Sequence, residues 1–555
     1  MSRTATIDVE VSSDRFRAIE LEAIGHLTFS HPSNDLHRRV DANLRNAPPQ
    51  MANEPSESLT NANTDSISKW RATIIVGSIS GISLIGSMLG GIIIVALPTM
   101  ARDLGISDSL LLWPASVSPL ACGCTLLISG SISDVVGSKK VYLVGEFMLV
   151  ITTIASGVCR TGIELILFRA ASGVALSLCL PSSVSLITSH IPSGTYRNVA
   201  FACLGAGQPL GFSVGLVIGG VFVQSIGWRV GYYIGAGLIF ITFLISIFGI
   251  PADRKPIDQT YRSLIHRLKT EIDWLGCFLL STSLGLFSYV FAILASGTSH
   301  FIAPVSLTLF SLAVLLLPAF ILHGLRQECL GLKTIIPPSL WKNSVFTCLC
   351  VTVFVIWGVF DAMQYFLTLF FQEVQSLSPI QTSLRFLPMV VTGAGTNLLT
   401  GWLVKRVRAD ILVFVSAFIT ALAPLLMAVI KPEWSYWTCA FFAVACTPLC
   451  ADVLFTVANL VITSLFPGEM QGIAGGVFNT ISDIGASFGL GVTAVVASIV
   501  TMSREGKIGS LIPESETLMD GYRATFWLCF GVDVLVLGII GLGLRKIGKV
   551  GLKEE

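Results

Sequence analysis

The sequence predicts an all-α membrane protein with fourteen transmembrane spans. Of its 555 residues, 53% are hydrophobic and only 12% are charged, whereas an ordinary soluble domain has about 25% charged residues. The mean hydropathy is +0.77. Apolar stretches of about 20 residues, each long enough to cross about 30 Å of hydrocarbon, recur from residue 73 onward. These observations exclude a nucleic-acid-binding protein, a disordered chain and most soluble enzymes.

The predicted spans follow one another at short intervals. They are expected at residues 73–99, 110–131, 141–158, 164–188, 198–223, 229–250, 274–295, 302–324, 345–372, 380–404, 411–430, 435–461, 472–500 and 524–545. The loops after even-numbered spans, together with the C-terminal segment from Arg545 onward, carry eighteen Lys and Arg residues, and the other loops carry seven when Arg229 at the start of the sixth span is included. Because positive charge accumulates on the cytosolic side of membrane proteins, both termini are predicted to be cytosolic.

Composition divides the chain into seven predicted regions. The residues before the first span are rich in Ser, Asn, Asp, Arg and Pro, which is typical of a disordered segment. The regions are a disordered cytosolic tail (1–71), an N-terminal six-helix half (72–250), a cytosolic linker (251–273), two inserted transmembrane helices (274–324), a second cytosolic linker (325–344), a C-terminal six-helix half (345–545) and a cytosolic tail (546–555). This 6+2+6 arrangement indicates a duplicated transporter core with its substrate site between the halves. The two inserted spans have almost no polar side chains and are expected to face lipid.

The predicted cytosolic loop between the second and third spans contains a spaced motif. It reads Gly130-Ser-Ile-Ser-Asp134-Val-Val-Gly137-Ser-Lys139-Lys140. Glycines let two helices approach closely, and Asp134 can pair with a cation or stabilise the N-terminus of a neighbouring helix. Such a contact would hold one conformation and break in the other, whereas a simple tight turn is the alternative. The motif resembles the cytosolic loop signature of the major facilitator superfamily, and the resemblance implies the fold of that family.

The fourth predicted span contains an arginine about six residues inside its apolar segment. A buried arginine is costly in a membrane and is therefore a functional candidate. Arg169 and Gly173 resemble the fourth-span motif of the same superfamily, whose arginine is associated with proton coupling in antiporters. The alternative is that Arg169 extends to the membrane surface and has no such role.

The fifth predicted span has glycine at every fourth position. The glycines are Gly207, Gly211, Gly215 and Gly219, followed directly by Gly220. This spacing places them on one face of a helix, where a neighbouring helix can approach closely. The stripe resembles the fifth-span motif of drug:proton antiporters, although Leu216 stands in place of the motif's proline. Leu89 likewise stands where the first-span motif has an aspartate, which leaves proton coupling open.

Acidic side chains inside the apolar spans of the second half are the candidates for a substrate and proton cavity. Each would be costly in hydrocarbon and is expected to face protein or water. Three helical faces combine such acids with aromatic or amide groups at helical spacing, and they contain Trp357, Asp361 and Gln364, then Asp452, Phe455 and Asn459, and then Asn479 and Asp483. Hydrogen bonding between packed helices is the alternative role for these acids. It is the expected role for Asp533 in the last span.

Residues 72–545 together resemble the fungal fourteen-span efflux pumps of the major facilitator superfamily. The resemblance implies a secondary active transporter that works by alternating access. It implies proton-coupled export of drugs, toxins or secondary metabolites, and hence multidrug resistance. Two alternatives stay open, namely an uptake or facilitated carrier for a small solute and a non-transporting nutrient sensor on a transporter fold.

The expected partners are a small-molecule substrate, protons and the lipid bilayer, with no nucleic acid. The sequence contains no phosphate-binding loop and no hydrolase motif in a plausible context, so enzymatic activity is not expected. Its 13 cysteines are odd in number and form no CxxC pair, which argues against a metal site, and no cofactor is expected. A monomer in the plasma membrane is predicted, with the vacuolar membrane as the second choice.

Overall fold

Helices form the regular structure of this protein. The computed structural model describes residues 69–107, 110–192, 195–251, 261–270, 272–295, 304–332, 334–404, 406–466, 468–508 and 514–546. Those ranges contain no β-strand, and thirteen of their helices are long and apolar enough to cross a membrane. The predicted N-terminal tail lies outside them except for its last three residues, which already belong to the first helix.

The first six helices match the first six predicted spans and lengthen most of them. They are α1 (Lys69–Leu104), α2 (Trp113–Val136), α3 (Ser138–Val158), α4 (Gly162–His190), α5 (Thr195–Ser225) and α6 (Trp228–Gly249). Two of the turns between them depend on glycine, because Gly137 has φ 108° and Gly227 has φ 89°. Residues with a Cβ rarely adopt such angles, so these two positions separate α2 from α3 and α5 from α6.

The described residues between the two groups of six spans form three helices. They are α7 (Tyr261–Thr270), α8 (Trp274–Ala295) and α9 (Pro304–Cys329). The short helix α7 falls inside the linker predicted at 251–273, where no helix was expected. Its apolar residues recur at helical spacing among basic ones, which favours a helix too polar to cross the bilayer. The helix α9 runs five residues beyond the predicted end of its span and into the second linker.

The described part of the second half forms eight α-helices, because two of its spans are broken. The helices are α10 (Ser344–Leu369), α11 (Pro379–Arg385), α12 (Leu387–Leu403), α13 (Ala409–Val429), α14 (Ala440–Cys446), α15 (Leu449–Leu465), α16 (Gly468–Ile508) and α17 (Glu514–Gly543). The span predicted at 380–404 breaks at Phe386, two residues before Pro388, and the span at 435–461 breaks at Thr447 and Pro448. Proline lacks an N–H group and disfavours a helical residue before it. The break leaves α12 with 17 residues, so its span is not among the thirteen full-length helices.

The two halves repeat one packing scheme. In the first half, α1 packs against α5 and α6, α2 packs against α4, and α3 packs against α4 and α6. In the second half, α10 packs against α16 and α17, α12 against α15, and α13 against α15 and α17. The halves contact each other chiefly through α2 with α16 and through α5 with α11 and α12. This arrangement places helices of both halves around one central interface.

The two inserted helices differ in how far they pack against the bundle. The helix α9 is largely exposed, as expected, but α8 contacts α2 of the first half and α16 of the second. Ser281 of α8 donates a hydrogen bond to the Cys124 carbonyl of α2 (2.7 Å). Phe291 of α8 packs edge-on against Phe488 of α16, with ring centroids 4.8 Å apart. The helix α8 therefore bridges the halves through one face, while Trp274, Leu275 and Phe278 on it stay exposed, as expected for a lipid-facing span.

Candidate functional site

Direct hydrogen bonds join the two halves at the end of the bundle that contains the α5–α6 turn. Ser383 of α11 donates from Oγ to the Leu216 carbonyl of α5 (2.6 Å) and accepts from the Gly220 amide (3.1 Å). Gln372, just after α10, donates from Nε2 to the Val95 carbonyl of α1 (2.9 Å). We call these five residues the outer contact, because the loop charges predict that this end is extracellular. The outer contact holds the two halves together in this state.

The middle of the interface contains a pair of acids from two helices of the second half. Asp361 of α10 and Asp483 of α16 are both half-buried and close enough for their carboxyl groups to interact electrostatically. Cys122 of α2 lies within hydrogen-bonding reach of Asp483. A Cβ on the neighbouring Gly123 would be 3.1 Å from the Asp483 Cβ. The fold thus brings two acids that the sequence placed on separate helical faces within electrostatic reach of each other, and it sets Asp483 against α2 of the first half.

Aromatic rings and unpaired polar groups lie along α10 beside Asp361. Trp357 packs edge-on against Phe360 at 5.5 Å, and Phe360 lies 6.2 Å from Phe212 of α5. We call these three rings the aromatic wall. The Trp357 Nε1 and both amide atoms of the buried Gln364 have no hydrogen-bond partner among the described residues. This part of α10 therefore combines aromatic rings with buried polar groups that have no hydrogen-bond partner among the described residues.

The second predicted face divides between two environments. Asp452 is 5% exposed and faces α12, where Asn397 reaches its carboxyl group. Phe455, one turn later, points toward α5, and a Cβ on Gly205 would be 3.1 Å from its ring. Asn459 is exposed and donates to the Phe455 carbonyl of its own helix (2.9 Å). Phe455 is therefore the member of this face that reaches the first half.

The third face lies on α16 immediately before the acid pair. Asn479 is half-buried and donates from Nδ2 to the Gly475 carbonyl of its own helix (3.1 Å). The next residue, Thr480, is buried, and its hydroxyl has no partner among the described residues. One turn of α16 thus carries an amide, an unpaired hydroxyl and Asp483.

The loop motif includes a contact that ties α3 to α6. Lys139, at the start of α3, donates from Nζ to the carbonyl oxygens of Ile247 (3.1 Å) and Ile250. These are carbonyls at the C-terminus of α6, where a cation is favourable. Lys139 therefore contributes to the packing of the first half.

The other motif residues lie on both sides of the α2–α3 turn. Gly130 faces α4, and a Cβ there would be 3.5 Å from the Pro181 Cβ. Asp134 and Lys140 are exposed at the ends of α2 and α3. The proposed latch function of Asp134 stays a prediction.

Arg169 is buried against α2 and does not extend to the membrane surface. Its exposed fraction is 6%, and its Nε donates to the Pro114 carbonyl (3.3 Å). Tyr232 of α6 is its electrostatic neighbour, and the Tyr232 hydroxyl has no hydrogen-bond partner among the described residues. A Cβ on Gly173 would overlap the Ser118 carbonyl oxygen of α2. The fourth-span motif therefore joins α4 tightly to α2, and the role of Arg169 in proton coupling stays a prediction.

The glycine stripe of α5 packs against α1. A Cβ on Gly211 would overlap the carbonyl oxygen of Leu84, and a Cβ on Gly215 would overlap that of Met88. At the ends of the stripe, Cβ atoms on Gly207 and Gly219 would lie 3.0 Å from backbone atoms of α1. Gly220 instead faces α11, as part of the outer contact. The stripe therefore makes α1 and α5 a closely packed pair.

Two buried acids have surroundings that the sequence did not reveal. Glu146 of α3 is fully buried and accepts a hydrogen bond from the Ser246 hydroxyl of α6 (3.0 Å), while Tyr142 donates to the Ser78 carbonyl of α1 (3.2 Å). Glu146 could have been found in the sequence, because it is an acid within the span predicted at 141–158. Neither carboxyl oxygen of Asp533 has a direct hydrogen-bond partner among the described residues, so the hydrogen bond expected for it between helices stays a prediction.

Comparisons with known proteins agree with this architecture. Residues 79–490 match the model of the Major Facilitator Superfamily. The chain is 42% identical to MFS-type transporter 1 of Pyricularia oryzae, over 88% of this chain and 86% of that protein. It is 27% identical to efflux pump terG of Aspergillus terreus, over 83% and 85% of the two chains. A bacterial homologue of the human lysosomal transporter Spinster has the same fold, with a TM-score of 0.58 and 16% identity over 86% of this chain and 98% of that chain. The chain therefore belongs to the major facilitator superfamily, and it is a membrane-embedded transporter and not an enzyme.

Proposed function

We propose that this protein exports small, partly apolar organic compounds in exchange for protons. The observation that carries the proposal is the acid pair, Asp361 and Asp483, at the interface between the halves. Carboxyl groups inside the spans of membrane proteins commonly belong to proton pathways. The efflux direction is supported by the similarity to efflux pump terG and by the glycine stripe of α5.

The proposed substrate site combines the acid pair with the aromatic wall. The rings of Trp357 and Phe360 offer apolar surface, and Gln364 and the Trp357 N–H offer hydrogen bonds that no described residue uses. A partly apolar compound would bind there when the acid pair has released its proton to the cytosol. Protonation from the outside would then favour release of the compound.

Alternating access would come from movement of one half against the other. The glycine stripe keeps α1 and α5 together, so the proposed movement lies between the halves. The outer contact would break when the site opens to the outside, and the α2–α16 contact around Gly123 and Asp483 would change with it. The acid pair lies beside this moving interface, which supplies the link between protonation and conformation.

The test compares dye accumulation in a pump-deficient host that expresses the wild type, Asp361→Asn or Asp410→Asn. Asp410 is a matched control because its carboxylate pairs with Arg408 at the start of α13 (2.9 Å), apart from the acid pair. We expect the wild type and the control to lower accumulation of fluorescent amphiphiles, a protonophore to abolish the effect, and Asp361→Asn to lose it. Export that persists with the protonophore would overturn proton coupling.

A carrier that does not use protons is the second candidate. It is favoured by Leu89, which occupies the position of the family's first-span aspartate and is 4% exposed against α6. Counterflow in vesicles separates the two candidates, since a facilitator would give the same exchange with and without a pH gradient.

A nutrient sensor would be indicated if removal of residues 1–65 abolished signalling in a host while transport was absent.

The proposal includes fourteen spans, cytosolic termini and a monomer in the plasma membrane. Broken helices account for the span that falls short of full length, and an even count agrees with the loop charges. Fluorescent fusions at each end, quenched from one side of the membrane, test the topology. Labelling of the vacuolar membrane instead of the cell surface would favour the second location.

A further inference from the structure

A small cavity lies behind the aromatic wall, inside the second half. Its volume is about 10 Å³, and its lining comes from α10, α13, α17 and the break between α14 and α15. One water molecule needs roughly 10–15 Å³. The cavity therefore has room for about one water molecule and no larger ligand.

Asp533 of α17 is the ionisable side chain that lines this cavity. It is 2% exposed, and neither carboxyl oxygen has a hydrogen-bond partner among the described residues. The described lining contains no Lys, Arg or His. Among the described residues, an ionised carboxylate at this place would have no cation in the cavity lining and no donor within hydrogen-bond distance, which is costly in a membrane protein.

The two hydroxyl groups of the lining are occupied as donors. Thr447 donates to the Ala443 carbonyl (2.8 Å). Thr420 donates to the Cys446 carbonyl (3.1 Å) and accepts from the Cys450 amide (2.9 Å). Since each hydroxyl has one hydrogen, these groups can offer only lone pairs to the cavity.

Two prolines add further acceptors nearby. Pro424 has no N–H to donate to the Thr420 carbonyl one turn earlier, and Pro448 has none for the Val444 carbonyl. The described surroundings of the cavity are thus rich in acceptors and poor in donors. Such surroundings are satisfied by a carboxylic acid, which donates, and not by a carboxylate, which only accepts.

The other titratable groups near Asp533 are thiols. Cys450 of α15 and Cys529 of α17 are its electrostatic neighbours. The helices α10 and α13 contribute apolar side chains and the Thr420 hydroxyl to the lining. Among the described groups around the cavity, Asp533 is therefore the most acidic.

We propose that Asp533 is a proton-binding site in the core of the second half, where its carboxylic acid donates a hydrogen bond to the acceptors of the α14–α15 break, directly or through one water molecule. This site is separate from the acid pair and does not depend on the direction of transport. The proton is a structural partner that lets α17 pack against the broken helix.

Infrared spectroscopy of the purified full-length protein in lipid nanodiscs tests the proposal. At neutral pH we expect a carboxylic-acid C=O band in the wild type that is absent from Asp533→Asn and retained in Asp361→Asn and Asp483→Asn. The band should be insensitive to Na⁺. Equal carboxylic-acid intensity in the wild type and Asp533→Asn, or loss of the band on adding Na⁺, would overturn the assignment.

A second variant keeps the test decisive if Asp533→Asn does not fold. Thr447→Val keeps the acid and removes one acceptor, so the Asp533 band should persist at a shifted frequency. The melting temperature of the wild type should also fall as the pH rises from 7 to 9, because unfolding releases the proton, and this slope should be smaller in Asp533→Asn. An unshifted band in Thr447→Val together with a pH-independent melting temperature would contradict the proposal.

Discussion

Gly358 of α10 and Gly489 of α16 face each other backbone to backbone. A Cβ on Gly358 would lie 3.1 Å from the Cα of Gly489, and a Cβ on Gly489 would overlap the Gly358 backbone. The α1–α5 pair of the first half is joined in the same way through Gly215. The equivalent helix pairs of the two halves therefore share one kind of close glycine contact.

Gly489→Ala is expected to destabilise the protein. The added methyl group must push α10 and α16 apart, and overpacking of this kind costs about 1–3 kcal/mol. Gly475→Ala on the same helix is the control, because a Cβ there meets nothing within 4 Å. We expect Gly475→Ala to be neutral or slightly stabilising, since alanine favours a helix by up to about 1 kcal/mol. Thermal unfolding of both variants measures the difference, and equal melting temperatures would contradict the close contact.

Ser383→Ala is expected to open the outer end of the interface. It removes hydrogen bonds to Leu216 and Gly220 that join the halves, and each such bond contributes about 0.5–1.5 kcal/mol. The open population should rise by roughly ten-fold. Thr382→Ala is the control, because its hydroxyl bonds only to the nearby Ser378 carbonyl (3.1 Å).

Spin labels at two exposed positions of the outer end, Ser225 and Gln381, measure this change. The exposed Cys203 and Cys329 are first replaced so that they do not react. The distance distribution of Ser383→Ala should gain a longer component that Thr382→Ala lacks. The same distribution in both variants would show that the hydrogen bonds across the outer contact do not hold it closed.

Lys139→Gln is expected to lower stability, whereas Lys140→Gln is not. Lys139 donates to carbonyls at the end of α6, and hydrogen bonds to charged groups contribute about 1.5–3 kcal/mol. Lys140 is exposed, and substitutions at such positions usually change stability by less than about 0.5 kcal/mol. Thermal unfolding in detergent compares the adjacent variants. A similar loss of stability in both variants would mean that the positive charge of the two lysines matters, and not the hydrogen bonds between Lys139 and α6.

Asp273→Ala is expected to weaken the attachment of the inserted helices more than His323→Ala does. Asp273 accepts from the Gly276 amide at the start of α8 (2.8 Å) and contacts His323 of α9 (2.8 Å). Removing Asp273 loses both contacts, and removing His323 loses one. Limited proteolysis between α8 and α9 measures the attachment, and faster cleavage in His323→Ala than in Asp273→Ala would contradict this order.

Much of the fold could be predicted because the spans are marked by local properties. Apolar stretches of spanning length gave the order and approximate positions of the spans, and the stripe that includes Gly211 and Gly215 marked a close helix contact, since these signals depend only on spacing along one helix. The break at Phe386 and the short helix α7 were not predicted. The proline that breaks the span and the amphipathic pattern of α7 are weak signals beside the strong hydropathy of the neighbouring spans.

The candidate site was predicted residue by residue but not as an arrangement. Asp361 and Asp483 each stood out as an acid in an apolar span, yet their proximity and their position against Cys122 of α2 depend on how α10, α16 and α2 pack. The same holds for Asp533, whose burial beside a cavity arises from the break between α14 and α15. The sequence by itself therefore determined an α-helical membrane transporter with costly acids in its spans, because hydrophobicity acts locally. Only the tertiary structure decided which acids meet, which face a neighbouring helix and which stay without a partner, because those outcomes depend on contacts between helices far apart in the chain.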